Sequence, residues 1–147
     1  MPDQERTQDA SRHGAIGVIL DAQSRFLVIE RSQLVRAPGR LCFPGGGIEP
    51  GESQEAALVR ELMEELSVEV APVRKLWENQ TPSGTILHWW LADLLDSAAP
   101  TPDPKEVSNW FWMAEAEFVG DHRTLVTNLE FMKAVRDGDV NLGLGST

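Results

Sequence analysis

Cysteine is nearly absent. Cys42 is the only one in 147 residues, so no intrachain disulfide framework can form and the chain suits a reducing compartment. Flanked by Leu41 and Phe43, this thiol reads as a buried packing group rather than a nucleophile. Basic residues are scarce as well: 13 Lys and Arg stand against 23 Asp and Glu, a formal charge of −10. That is too little positive charge for a protein that displaces counterions along a nucleic-acid backbone. No apolar run is long enough to span a bilayer, and the opening MPDQERTQDASR lacks the hydrophobic stretch of a signal peptide. Large nucleic acids and membranes are therefore not expected partners, and the cytoplasm is the expected location. An acidic protein can still bind phosphorylated small molecules when a divalent cation lies between the two negative partners.

The remaining composition, 41% hydrophobic and 24% charged, is that of a globular chain long enough for one core. The polar residues 1–12 are expected to form a disordered tail, with a single domain over 13–147. GAIGVIL (14–20) and RFLVIER (25–31) are β-rich runs around the turn DAQS, which predicts a hairpin. A loop punctuated by Pro38, Gly39, Pro44, Gly45 to Gly47, Pro50 and Gly51 follows, with one short strand at 41–43. From Ser53, a credible N-cap with Glu55 in the first turn, the period becomes 3.6. VEVAPVRKLWEN and TILHWWLADLL read as strands, NWFWMA as another, and RTLVTNLEFMKAVRDG as an amphipathic helix stopped by Gly138. This order of elements predicts an α/β sandwich with a mixed sheet.

The first helix poses a problem. Val59, Leu62, Met63 and Leu66 fall at i, i+3, i+4 and i+7 and predict one buried stripe. Glu61, Glu64 and Glu65 then span about 100° on the side nearly opposite. Like charges at this spacing repel, and no lysine is interleaved among them. A solvated helix face is one explanation. A cation site is the other: the helix follows a glycine-rich loop whose carbonyls can approach an ion closely, and hard carboxylate oxygens are what magnesium and manganese prefer.

The stretch GGIEPGESQEAALVRELMEELSV supplies Gly46, Glu52, Arg60, Glu61, Leu62, Glu64, Glu65 and Val68 in a recognisable spacing. In words, it is glycine, five residues, glutamate, seven residues, Arg-Glu, an aliphatic, any residue, Glu-Glu, any residue, glycine, an aliphatic. It resembles the box of the Nudix (MutT-like) hydrolase family, and the order of elements over roughly residues 13 to 137 is similar to that family's fold. The resemblance implies an α/β/α sandwich with the box helix on one side of a mixed sheet and the C-terminal helix on the other. It also implies Mg2+-dependent hydrolysis of a diphosphate linkage in a nucleoside diphosphate carrying a further group, with Mn2+ as a substitute cation. Glu61, Glu64 and Glu65, with the carbonyl of Gly45, become the expected metal ligands. Glu106 joins them as an acid just before a Trp-containing strand. Glu61 or Glu64 is the expected base, with Glu106 as runner-up. Gly46, Glu52 and Arg60 become structural, the last two as an ion pair bracing loop against helix. One departure is Ser67, which stands where the pattern has its last glycine, at a position that often needs a left-handed backbone.

Substrate choice lies outside the box. Arg31, Arg36, Arg40 and Lys105 are candidate phosphate contacts, and Phe43 a candidate substrate contact. Of the adjacent Trp89 and Trp90, one faces the core and the other is available to a pocket. Trp110 and Trp112 share a face and read as packing. His13, His88 and His122 receive no role. Arg31-Ser32, Arg36, Gly39 and FPGG give a partial likeness to the extra motif of coenzyme A pyrophosphatases, one residue short between Arg36 and Gly39. A coenzyme A pyrophosphatase, a catalytically silent nucleotide sensor and a scaffold domain remain the alternatives, with a small nucleotide as the expected partner and a homodimer kept open.

Overall fold

Alternation of side chains across the strands divides the interior into two cores on either side of the sheets. In the computed structural model, which describes residues 12–95 and 98–143, β1 runs over His13–Val18 and β2 over Phe26–Arg31. Leu27 and Ile29 of β2 enter one core, whereas Phe26 and Val28 enter the other. The short β3 (Leu41–Cys42) and β4 (Gly45–Gly47) precede α1 (Gln54–Leu66). Then come β5 (Val70–Gln80), β6 (Ile86–Leu94), β7 (Val107–Met113), α2 (Glu115–Gly120) and α3 (Val126–Arg136). A four-stranded sheet has the order β4-β1-β6-β5 and is mixed, since β1 pairs with β6 in parallel and with β4 antiparallel. A three-stranded antiparallel sheet has the order β3-β2-β7. Leu58, Leu62 and Leu66 of α1 pack into the first core, and Phe131 and Met132 of α3 into the second. The architecture is an α/β/α sandwich. No helix among the described residues is long and apolar enough to cross a membrane.

Several expectations need correction. The tail expected over 1–12 lies outside the described residues except for Arg12, whose carbonyl accepts from Ile86 N–H at 2.9 Å. The hairpin has its turn, closed by Asp21 N–H on the Arg25 carbonyl at 2.9 Å, but its arms part after the bridge between Leu20 and Phe26. Each arm joins a different sheet because each finds a longer partner: β1 takes β6, and β2 takes β7. Gly45–Gly47, expected as loop, forms β4, and α2 was not anticipated at all. The last helix starts only at Val126, because Thr124 bridges to Leu41 and Leu125 N–H donates to the Leu41 carbonyl.

The largest correction concerns α1. Its buried residues are Ala57, Leu58, Leu62, Glu65 and Leu66, while Met63 is 47% exposed and Val59 only half-buried. The helix is thus rotated from the expected stripe toward the glutamates. A Cβ placed on Gly17 of β1 would meet Leu58 Cδ1 at 3.1 Å and Leu62 Cδ2 at 3.6 Å. Leu58 and Leu62 therefore lie directly on the bare glycine backbone, and that close approach fixes the rotation.

Both helix ends are built as read. Ser53 Oγ accepts from Ala56 N–H at 3.0 Å, and Ser67 closes the helix in a left-handed conformation, φ 55° and ψ 38°. A residue with a Cβ pays about 1 kcal/mol or more for that conformation. Ser67→Gly should therefore raise stability by about 1 kcal/mol and the melting temperature by about 3 °C, read by thermal melting. A glycine variant that melts at or below the parent temperature contradicts the assignment of strain to this cap.

Candidate functional site

The site grows from the junction of β4 with α1. Gly45 has φ +151°, and a Cβ there would overlap the Ala15 carbonyl of β1. A Cβ on Gly46 would overlap the Glu61 carboxylate. Glycine is required at both places because a strand backbone and a carboxylate occupy the space a side chain would take.

Behind these glycines, Glu65 is buried, 6% exposed, and its Oε1 accepts from Gly45 N–H at 3.0 Å. Burial pushes its carboxyl up to about 8; the Gly45 hydrogen bond opposes the rise, and the charges of Glu61 and Glu106 add to it. Burial also raises Glu61, against the pull of Arg60. The rotation of α1 explains both, since it turns Glu61 and Glu65 toward the glycine strand and leaves Glu64 largely in solvent, 56% exposed. Glu106, at the end of the proline-rich loop, is itself exposed. The loop is held over the end of α1, with Thr101 N–H on the Leu66 carbonyl at 2.8 Å and Asp103 N–H on the Glu65 carbonyl at 2.9 Å. Those bonds bring Glu106 close enough for its charge to act on Glu61 and Glu65.

Arg60 organises the outer side. Its Nε and Nη2 donate to the two oxygens of Glu52 at 2.7 and 2.9 Å, and Nη2 also donates to the Gly47 carbonyl at 2.9 Å. Nη1 reaches Glu61 at 3.0 Å and Glu64 at 3.1 Å. Glu52 in turn accepts from Glu49 N–H at 2.9 Å, and the Arg60 guanidinium holds its carboxyl down to about 2. One arginine thus ties the loop, the glycine strand and the helix together.

As the side chains stand, no three His, Cys, Asp or Glu residues among those described form a ready cage for a metal ion. Their chemistry nevertheless fits a hard dication. Among the described residues the buried Glu65 carboxyl is hydrogen-bonded only to an amide, in the negative field of two other acids. Such a group is stable as an anion when a cation shares its site.

A cleft of about 1200 Å³ opens beside the glycine strand. Arg31, Arg36, Phe43 and Gly45 to Gly47 line it, whereas Arg40 and Lys105 do not. Glu61, Glu64, Glu65 and Glu106 are not among its lining residues; Glu61 lies behind Gly46 and Glu65 behind Gly45. Arg31 is pinned by its Nε on the Arg36 carbonyl at 2.6 Å, and its charge acts on Glu65. Phe43 lines the cleft but is largely a core residue. It is 2% exposed, with its ring centroid 4.9 Å from Phe118 and 5.3 Å from Phe26. Cys42 is the buried thiol expected, pushed by burial up to about 11. Ser32 and Gly39, part of the coenzyme A likeness, knit the 32–40 loop together. Ser32 Oγ donates to the Lys105 carbonyl at 2.8 Å, and Gly39 N–H to the Arg31 carbonyl at 2.9 Å.

Sequence reading missed Asn128. It is 4% exposed, lines the cleft, and uses Oδ1 to accept from Phe43 N–H at 2.9 Å. Its only signal was a polar residue on the apolar face of the last helix. Trp89 is the fully buried member of its pair. Trp90 is half-buried and donates from Nε1 to Gln54 Oε1 at 2.9 Å. Trp110 and Trp112 pack together, ring centroids 6.5 Å apart.

Comparison with known proteins agrees with this architecture. The chain is 31% identical over 101 residues to an 8-oxo-dGTP diphosphatase of Escherichia coli K12, covering 69% of this chain and 64% of that protein. It is 35% identical over 82 residues to a CTP pyrophosphohydrolase of the same organism, covering 53% and 61%. The chain thus matches somewhat less than two thirds of the length of these relatives. The crystal structure of a MutT protein from Methanosarcina mazei Go1 superposes with a TM-score of 0.74 at 18% identity, over 88% of this chain and 95% of that one, which is a likeness of fold. Residues 11–134 match the NUDIX domain, and with the glycine strand, the Arg60 clamp and the glutamates of α1 all lying inside that span, the chain belongs to the Nudix family.

Proposed function

We propose that this chain hydrolyses a diphosphate linkage in a nucleoside diphosphate carrying a further group, with Mg2+ or Mn2+ as its cation. The observation that carries this reading is the buried Glu65 carboxylate, set with Glu61 against a glycine strand at the edge of a cleft of about 1200 Å³. Glu61, Glu64, Glu65, the Gly45 carbonyl and Glu106 are the groups that would hold the cation. When bound, such a cation neutralises phosphate oxygens, lowers the pKa of water and assists departure of the leaving phosphate.

The chain's own residues do the rest. Arg31 and Arg36 face the cleft and supply forked donors for phosphate oxygens. Gly47, where a Cβ would meet open space, leaves the cleft-lining backbone accessible to the substrate's phosphates. Asn128, whose Oδ1 accepts from Phe43 N–H and whose Nδ2 donates one hydrogen to Thr127 Oγ1 at 3.4 Å, has its second amide hydrogen for a base acceptor. Arg60 holds Glu61 and Glu64 in place through Nη1, and one of these two takes the proton of the attacking water, with Glu106 as the third candidate. The named relatives, diphosphatases and pyrophosphohydrolases of nucleotides, support this class of reaction. A screen over nucleoside triphosphates, ADP-sugars, dinucleotides and coenzyme A, in Mg2+ and in Mn2+, tests it. No hydrolysis across that panel would replace the enzyme by a nucleotide-binding domain.

Three outcomes follow. Glu64→Gln and Glu65→Gln should each lose turnover by about 100-fold or more while keeping the parent circular dichroism; parent activity in both removes the metal-site reading. Arg60→Ala should lower the melting temperature and cut activity by roughly 10- to 100-fold, since it releases the loop and two glutamates together. The third outcome concerns pH. In metal-free protein the Glu65 carboxyl titrates at about 8 rather than the usual 4.5. Between those values the folded state binds more protons than the unfolded state, so stability falls as pH rises through that window. Thermal melts in chelator should show this decline, and Glu65→Gln should flatten it. Mg2+ should raise the melting temperature more at pH 8.5 than at pH 6, because only the ionised carboxylate binds metal.

A further inference from the structure

A chain of polar side chains runs across β5, β6 and β1 to the cleft lining, and the reaction just proposed does not use it. Lys75 Nζ donates to Glu78 Oε1 at 2.7 Å and lies 2.8 Å from His88 Nδ1. His88 Nε2 lies 2.8 Å from His13 Nδ1, with the ring planes 12° apart and the centroids 5.1 Å apart, an edge-to-edge arrangement. His88 is buried, 5% exposed, and both histidines line the cleft.

The direction of every bond in this chain is set at one end. An ammonium has donors only, so His88 Nδ1 must accept from Lys75. Glu78 Oε1 also lies near Nδ1, at 3.3 Å, but a proton on Nδ1 would then point into the closer ammonium. The His88 proton therefore sits on Nε2 and is donated to His13 Nδ1, which leaves the His13 proton on Nε2. Among the described residues none bonds that nitrogen. Burial and the Lys75 charge keep His88 below its ordinary pKa, consistent with a neutral ring. Gln54, whose Oε1 is held by the Trp90 indole at 2.9 Å, has its amide N–H groups left over among the described residues, and it and Arg12 line the same cleft as His13.

We propose that His13 Nε2–H, together with Gln54 and Arg12, forms a donor-only subsite for the acceptor-rich group attached beyond the nucleoside diphosphate, a further phosphate or a sugar. Lys75 and His88 are positioning residues that fix which His13 nitrogen carries the proton. The subsite rests on the reaction proposed above, but its test does not require turnover.

Long-range 1H–15N correlation spectra of the imidazoles, recorded in chelator, read the tautomers directly. Both rings should be in the Nε2–H form in the full chain, and Lys75→Met should release His88 and His13 into mixed tautomers. Titration with GTP, ADP-ribose or diadenosine tetraphosphate should shift the His13 Nε2 resonance. The ligand that shifts it most tells phosphate from sugar. His13→Ala should weaken that ligand by about three- to tenfold, with partial recovery in His13→Gln. An Nδ1–H tautomer at either ring, or a His13 resonance unmoved by saturating concentrations of all three ligands, overturns the subsite. Failure of hydrolysis with these spectral changes intact would overturn the enzyme reading alone.

Discussion

The contact between the Glu65 carboxylate and the Gly45 amide sets the terms for the rest of the site. Burying a carboxylate costs several kcal/mol unless it is paired or hydrogen-bonded, and here a single backbone N–H supplies the bond. The core tolerates this because α1 is anchored on both sides of the glutamate. Leu58, Leu62 and Leu66 lie in the first core with Leu27 and Ile29, and Leu58 and Leu62 rest on Gly17. Apolar packing holds the helix at the rotation that turns Glu61 and Glu65 toward the glycine strand. The unfavourable burial of this acid is thus maintained by contacts that are individually ordinary.

Arg60 answers a different problem. Three glutamates within five residues repel one another, and a single guanidinium offsets that repulsion while joining three segments of chain. Its forked pair with Glu52, a residue of the cleft lining, steadies the helix against the loop. Glu65, deeper than the rest, receives no bond from it. Field and geometry together leave one buried, proton-holding acid behind a glycine strand and two more hydrated acids around it.

The division of the sheet explains how a small domain provides a cleft of this size. β1 and β2 leave a common turn and enter different sheets, so the space between β4 and the start of α3 is not filled by a strand. The second core closes the bottom with Phe43, Trp89, Phe118 and Phe131, and a buried Asn128 keeps one polar group at the boundary. Polar side chains that look isolated in sequence, His13 and His88 among them, meet because parallel pairing of β1 with β6 sets His88 opposite Ala15, two residues from His13.

Much of the fold was legible from local pattern. Period-2 runs gave β1, β2, β5, β6 and β7, the Ser53 cap gave the start of α1, and the spacing of Gly46, Glu52, Arg60, Glu61, Glu64 and Glu65 gave the family. These features depend on neighbours within one or two turns, which a linear sequence records. The rotation of α1 was not legible, because two apolar stripes compete at the same period and the sequence favours the one without a glutamate. Only the sheet chose, since Gly17 accepts Leu58 and Leu62 at close range and leaves Met63 outside. Nor could a linear reading pair Phe43 with Asn128, or Lys75 with His88 and His13, since those contacts arise when strands and a helix distant in the chain are laid side by side. The identity and order of the acids were determined by the sequence alone; their depth, their protonation and the polar groups that face them were decided by tertiary packing, because burial and field depend on what lies across the space between elements.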